Sequence, residues 1–149
     1  MLKEAVDTTY IHFNRAKDNF DDIKNFSLDL TIYDDKEKIK TIDAFIFRFI
    51  KLQDFMGDKL FKEILKSTAD YKDNMSLMDC LDKLEKLEII ENTEKWLKYR
   101  AVRNKLTHEY STNQEDMVSG IALSLVYFEE IEIMLMNIIR YLKDKKLYN

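Results

Sequence analysis

The sequence predicts an all-α fold, an antiparallel helical bundle of four to five helices. Three observations carry that expectation. The 149 residues contain no Pro and only 2 Gly, where average usage gives roughly 7 and 10. Those residues punctuate turns, hairpins and phosphate-binding loops, so folds of many short strands and Gly-rich nucleotide sites are hard to build. Apolar residues also recur at helical spacing over long stretches. Finally, a hydrophobic fraction of 46% supplies a core while 35% charged residues keep the outer faces solvated. The length suits one domain over residues 1–149.

The first helix is expected over residues 2–24, where Leu2, Val6, Tyr10, Phe13, Phe20 and Ile23 keep the period. A connection over 25–33 leads to Asp34-Asp35, a helix-start signal. The longest helix follows over 36–66, with Ile39, Ile42, Phe45, Ile46, Phe49, Leu52, Phe55 and Met56 as its stripe. Gly57 marks a bend, after which Leu60, Phe61, Ile64 and Leu65 resume the pattern. A third helix is expected over 76–90, opened by Ser76 with Asp79 in a capping arrangement and buried through Leu77, Leu81, Leu84 and Leu87. Asn92 and Thr93 cap a fourth through Trp96, Tyr99, Val102 and Leu106 to Tyr110. The last spans 114–145. Its wide apolar stripe implies a second contact surface, either another core helix or a partner subunit.

Charge and cysteine bound the chemistry. The chain carries 24 basic and 28 acidic side chains, a net charge of −4. Such a field mildly repels phosphate, so a nucleic-acid site must be a local basic patch. Cys80 is the only cysteine, which excludes an intrachain disulfide and a Cys-based zinc site from this chain alone. No secretory leader or membrane-spanning run is visible, and a cytoplasmic setting is expected. The histidines, His12 and His108, lack the partners of a di-metal bundle site: Thr9 and Lys105 stand three residues before them. No metal or other cofactor is expected. Cys80, beside Leu81 on a leucine-rich helix, reads as a small buried hydrophobe rather than a nucleophile.

The unusual segment is 95–110. From Lys95 to His108 it holds Lys95, Lys98, Arg100, Arg103 and Lys105 and no acidic residue. Trp96, Tyr99 and Tyr110 accompany them as surfaces for base stacking. A solvated charged face is the plain alternative. Asn104 and His108 are i and i+4, neighbours on one helix face. Arg103 and His108 are five apart, a rotation of roughly 140 degrees on an ideal helix. Either the helix ends or distorts near His108, or the site combines residues of two subunits.

The run Arg103-Asn104-Lys105-Leu106-Thr107-His108-Glu109-Tyr110 resembles the Arg-x4-His-x-Tyr signature of the HEPN superfamily, and most of all the HEPN toxins paired with minimal nucleotidyltransferase antitoxins. The resemblance implies a metal-independent endoribonuclease acting on RNA as a homodimer whose paired motifs share a cleft. It assigns His108 as general acid or base, Arg103 to the charged transition state, and Asn104 to positioning His108 or the phosphate. Lys105, Arg100 and Lys98 become candidate RNA-backbone contacts. Tyr110 becomes the residue that the cognate nucleotidyltransferase adenylylates to silence the toxin. Two other readings are open: a non-catalytic nucleotide-binding or partner module for a nucleotidyltransferase, and a purely structural interaction bundle.

Overall fold

A computed structural model describes residues 1–108 and 113–149, leaving aside the side chain of His108. Its helices are α1 (Leu2–Ile23), α2 (Lys36–Phe55), α3 (Phe61–Ser67), α4 (Leu77–Lys86), α5 (Thr93–His108) and α6 (Gln114–Asp144), with a 3-10 turn at Leu30–Asp34. A π-helical turn, Met56–Leu60, joins α2 to α3 without a break. Among the described residues there are therefore five helical rods and no strand, the all-α bundle expected.

Side-chain caps place most starts. The Asp35 carboxylate accepts from the N–H groups of Glu37 and Lys38 and opens α2. Ser76 and Asp79 form a reciprocal capping box at α4. Asn92 accepts from the Lys95 N–H at α5, and Asn113 from that of Asp116 at α6. Each satisfies an N–H that the helix itself leaves unpaired.

The ends are built without glycine. Ala69, Glu88 and Lys146, following α3, α4 and α6, have φ of 61, 60 and 58°. Around Glu88, its own N–H reaches the Glu85 carbonyl and the Ile89 N–H reaches the Leu84 carbonyl. The same double closure surrounds Ala69 and Lys146, the arrangement in which glycine is the usual residue. This closure ends α4 at Lys86, short of the expected residue 90; Ile89 and Ile90 stay buried outside the helix.

Both glycines instead lie on packed faces of helices. A Cβ on Gly57 would meet Leu77 and the Trp96 ring at 3.7 and 3.9 Å, ordinary packing distances, so α4 and α5 pack against the π turn there. A Cβ on Gly120 would come within 3.2 Å of Leu106 Cδ2, so α5 crosses α6 closely there.

Pairings along the rods fix their directions. The Met1 amino group meets Glu63, His12 meets Phe55 and Phe20 meets Phe45, so α1 runs antiparallel to α2. Lys17 with Glu132 and Phe20 with Phe128 set α6 antiparallel to α1. Phe61 with Trp96 and Asp54 with Arg103 set α5 antiparallel to α2. These four rods enclose Phe13, Phe20, Phe45 and Phe128, whose rings stack or meet edge-on. The short α4 packs on α3 and α5. The outward residues of α6, Leu123, Val126, Ile133 and Met136, remain exposed. Among the described residues no helix is long and apolar enough to cross a membrane.

Candidate active site on helix α5

Two adjacent residues of α2 lock α5 in register. Gln53 is buried and donates from Nε2 to the Tyr99 carbonyl at 3.1 Å. Asp54, next in sequence, meets Arg103 one helical turn further along α5. Arg103 Nε donates to Asp54 Oδ1 at 3.2 Å and Nη2 donates to Oδ2 at 2.9 Å. Arg103 Nη1 donates to Asn104 Oδ1 at 3.3 Å. Sequence reasoning did not single out Asp54; no local spacing connects it to Arg103, because the pairing spans two helices.

This arrangement has a direct chemical meaning. A guanidinium carries five N–H donors in a planar fork. Asp54 takes two on one side and Asn104 takes a third. Among the described residues no acceptor meets the guanidinium's other two N–H groups, one on each terminal nitrogen, and such groups donate to phosphate oxygens. The Arg103 side chain is 21% exposed, so it is mostly but not wholly buried. The chain continues from Asp54 directly into the π turn, a local irregularity often found beside functional groups.

The other α5 residues separate into two sets. Arg100 and Asn104 are i and i+4 and share one face of α5, rotated by about 60 and 100 degrees from Arg103. Lys98 and Lys105 are seven apart and share a different face. The Lys105 stem runs against α6 near Gly120. Arg100, Lys98 and Lys105 make no ion pair among the described residues, while Lys95 pairs with Glu91 at 2.9 Å and Arg103 with Asp54. The free positive charge of α5 is thus smaller than the sequence count implies.

Trp96 and Tyr99 correct the sequence reading. They were expected as stacking surfaces for bases, but they are 0% and 1% exposed. Trp96 sits edge-on to Phe61 and to Tyr99. The Tyr99 hydroxyl donates to Glu130 Oε1 at 3.1 Å. Burial, then the Glu130 charge, push the Tyr99 phenol far above its ordinary pKa. Both rings hold α5 to the core. Cys80 is buried as expected, and burial raises its thiol pKa.

α5 is regular over Arg103 to His108, with the Thr107 hydroxyl bonded to the Arg103 carbonyl. The helix therefore does not distort between them, and the backbone positions of Arg103 and His108 stay rotated by roughly 140 degrees. The side chain of His108 and all of Tyr110 lie outside the described residues. Among the described residues no cluster of His, Cys, Asp or Glu is placed to hold a metal ion. A concavity beside α6 is lined by Ile90, Lys95, Tyr99, Glu130 and Asn137, without Arg103. Compared with known proteins, the chain matches no family model, no curated protein and no solved structure.

Proposed function

We propose that this chain is a toxin-type endoribonuclease of the HEPN kind, cleaving RNA through Arg103 and His108. The observation that carries the reading is the Asp54–Arg103 grip, which fixes a partly exposed guanidinium on α5 and, among the described residues, leaves two of its donors without an acceptor.

The chemistry follows from the residue types. His108 takes the proton of a ribose 2′-hydroxyl, and the 2′-oxygen attacks the adjacent phosphorus. The bond to the 5′-oxygen breaks, and that oxygen leaves as a 5′-hydroxyl with the proton returned from the His108 imidazolium. The other fragment ends in a 2′,3′-cyclic phosphate. Arg103 keeps its charge throughout and holds the phosphoryl oxygens as negative charge builds on them. Asp54 neither donates nor accepts a proton in the reaction; it fixes the fork. In this reading Asn104, bonded to the same guanidinium, is a positioning residue, and Arg100, Lys98 and Lys105 are the RNA-backbone contacts.

Two partners belong to this reading. A second copy of the chain, docked through the exposed apolar residues of α6, would bring a second Arg103 and His108 to a shared cleft. A nucleotidyltransferase antitoxin would adenylylate Tyr110, adding bulk and negative charge where the RNA phosphate must sit.

The test compares RNA cleavage by the wild type, Arg103→Ala and His108→Ala in the presence of EDTA. Wild-type cleavage that leaves cyclic-phosphate ends, lost in both variants, is expected. Variants that cut as well as the wild type, or activity abolished by EDTA, overturn the mechanism.

A further inference from the structure

The concavity beside α6 has the make-up of a ligand site, an apolar lining with a few converging polar groups. One wall is the face of α6 that carries Glu130, Ile133, Met134 and Asn137, which recur at helical spacing. The other comes from the turn between α4 and α5. Glu88 takes the left-handed position that ends α4, and Ile89 and Ile90 are then buried outside any helix before α5 begins. Tyr99 joins these walls from α5, and Ile133 lines the hollow while 59% exposed.

The positive groups at this hollow are already met from within the chain. Glu91 holds the Lys95 ammonium at 2.9 Å. At the start of α5, Glu85 accepts from the Thr93 N–H and Asn92 from the Lys95 N–H, so the helix end offers little to an anion. The negative charge of Glu130 is met less fully. Its Oε1 accepts from the Tyr99 hydroxyl at 3.1 Å, a neutral donor, and its Oε2 has no partner among the described residues. Tyr99 is itself fixed, being 1% exposed with its carbonyl held by Gln53. An adjoining hollow shares Ile89, Ile90, Glu91 and Asn137 and adds Glu85, Glu88 and Asp144 against Arg140. Carboxylates outnumber cations in both hollows, so the local field favours a positive ligand.

We propose that the hollow between the α4–α5 turn and α6 binds a small organic cation, an ammonium or guanidinium on an apolar body, with Glu130 as its counter-ion. The cation donates to Glu130 Oε2 while Tyr99 keeps Oε1, a charge-assisted hydrogen bond. The apolar body lies on Ile89, Ile90 and Met134 and covers Ile133, which removes apolar surface from water. A neutral ligand of the same shape would desolvate the carboxylate without pairing it, which is costly. An anion would face Glu91 and Glu130 together. Arg103 takes no part, and the proposal is independent of the ribonuclease reading.

The experiment titrates phenethylamine into the full chain and follows the amide chemical shifts. Saturable shifts centred on residues 89–95 and 130–137, with a millimolar dissociation constant, are expected. Phenethyl alcohol and hydrocinnamate, similar in shape but neutral and anionic, should bind at least about tenfold more weakly, because the charged hydrogen bond is lost. Glu130→Gln keeps an acceptor for Tyr99 and should weaken amine binding by the same factor. Glu132→Gln removes one charge from the same helix at a residue paired with Lys17, outside the hollow, and should leave binding unchanged. Ile133→Ser should weaken binding several-fold, and circular dichroism checks that each variant is folded. No saturation at millimolar amine, shifts centred elsewhere, equal binding of the three probes, or equal losses in Glu130→Gln and Glu132→Gln would each overturn the proposal. A lysine side chain of a partner protein carries the same chemistry, and Nα-acetyl-lysine methylamide stands in for it. Tighter binding of that amide than of phenethylamine would make the hollow a peptide contact and overturn the small-ligand assignment.

Discussion

Asp54 on α2 holds Arg103 on α5 side-on, through Nε at 3.2 Å and Nη2 at 2.9 Å. If Arg103 is the phosphate clamp, Asp54→Ala frees the guanidinium to swing and lowers RNA cleavage by roughly tenfold to a hundredfold, since small misplacements of a positioning group are costly. The loss should fall mainly on kcat, because the charge of Arg103 remains. Asp54→Asn keeps an acceptor and should retain more activity than Asp54→Ala. With Asp54 37% exposed, the change in stability is at most about 1 kcal/mol. Single-turnover cleavage beside a urea titration measures both. Full activity in Asp54→Ala would mean the pair only fastens α2 to α5.

The glycine-free helix ends make a stability prediction. A non-Gly residue in the left-handed region costs about 1–2 kcal/mol, while Gly adds unfolded-chain entropy worth about 0.4–1 kcal/mol. Glu88→Gly, at φ 60°, is therefore expected to stabilise the protein by about 0.5–1 kcal/mol. Glu85→Gly, inside α4 three residues earlier, is expected to destabilise it by about 1 kcal/mol. Opposite shifts of the two thermal midpoints are the outcome to look for.

Local rules made the helices readable and tertiary packing hid the rest. Asp35, Ser76 and Asn92 act on an N–H two or three residues away, so their capping roles are written in short stretches of sequence. The stop of α4 was misplaced because no Gly announces it; Glu88 takes the left-handed position instead. Gly57 was expected to bend its helix, and it lies in the π turn that accommodates Trp96. On α5 the periodicity marked Trp96 and Tyr99 as core, yet the run of cations invited a reading of them as ligand surfaces. Burial settled that conflict in favour of the period. Asp54, 49 residues from Arg103, was beyond any local pattern.

Gly120 sets how closely α5 approaches α6. Its missing side chain faces Leu106 at 3.2 Å, and Leu106 is buried with little room to move. Gly120→Leu forces the helices apart and is expected to cost about 1–3 kcal/mol. In Gly120→Ala, a helix-propensity gain of about 1 kcal/mol opposes the tight contact, leaving it close to neutral. Urea midpoints at constant slope report both changes. A neutral Gly120→Leu would mean that the α5–α6 contact is not tightly packed there.

His12 gives the fold a dependence on pH with a definite sign. Burial first, then Arg15 on its own helix and Arg48 and Lys51 on α2, hold its pKa below the ordinary 6.5. Between that lowered value and 6.5 the unfolded chain binds more protons than the native one, so stability falls as pH drops through the window. Above 6.5 both states are neutral at this position and the contribution vanishes. The thermal midpoint of the wild type, measured against His12→Asn, should therefore fall on acidification from about pH 7.5 to about pH 5.5. A difference that stays flat would show that His12 is free to protonate in the native state.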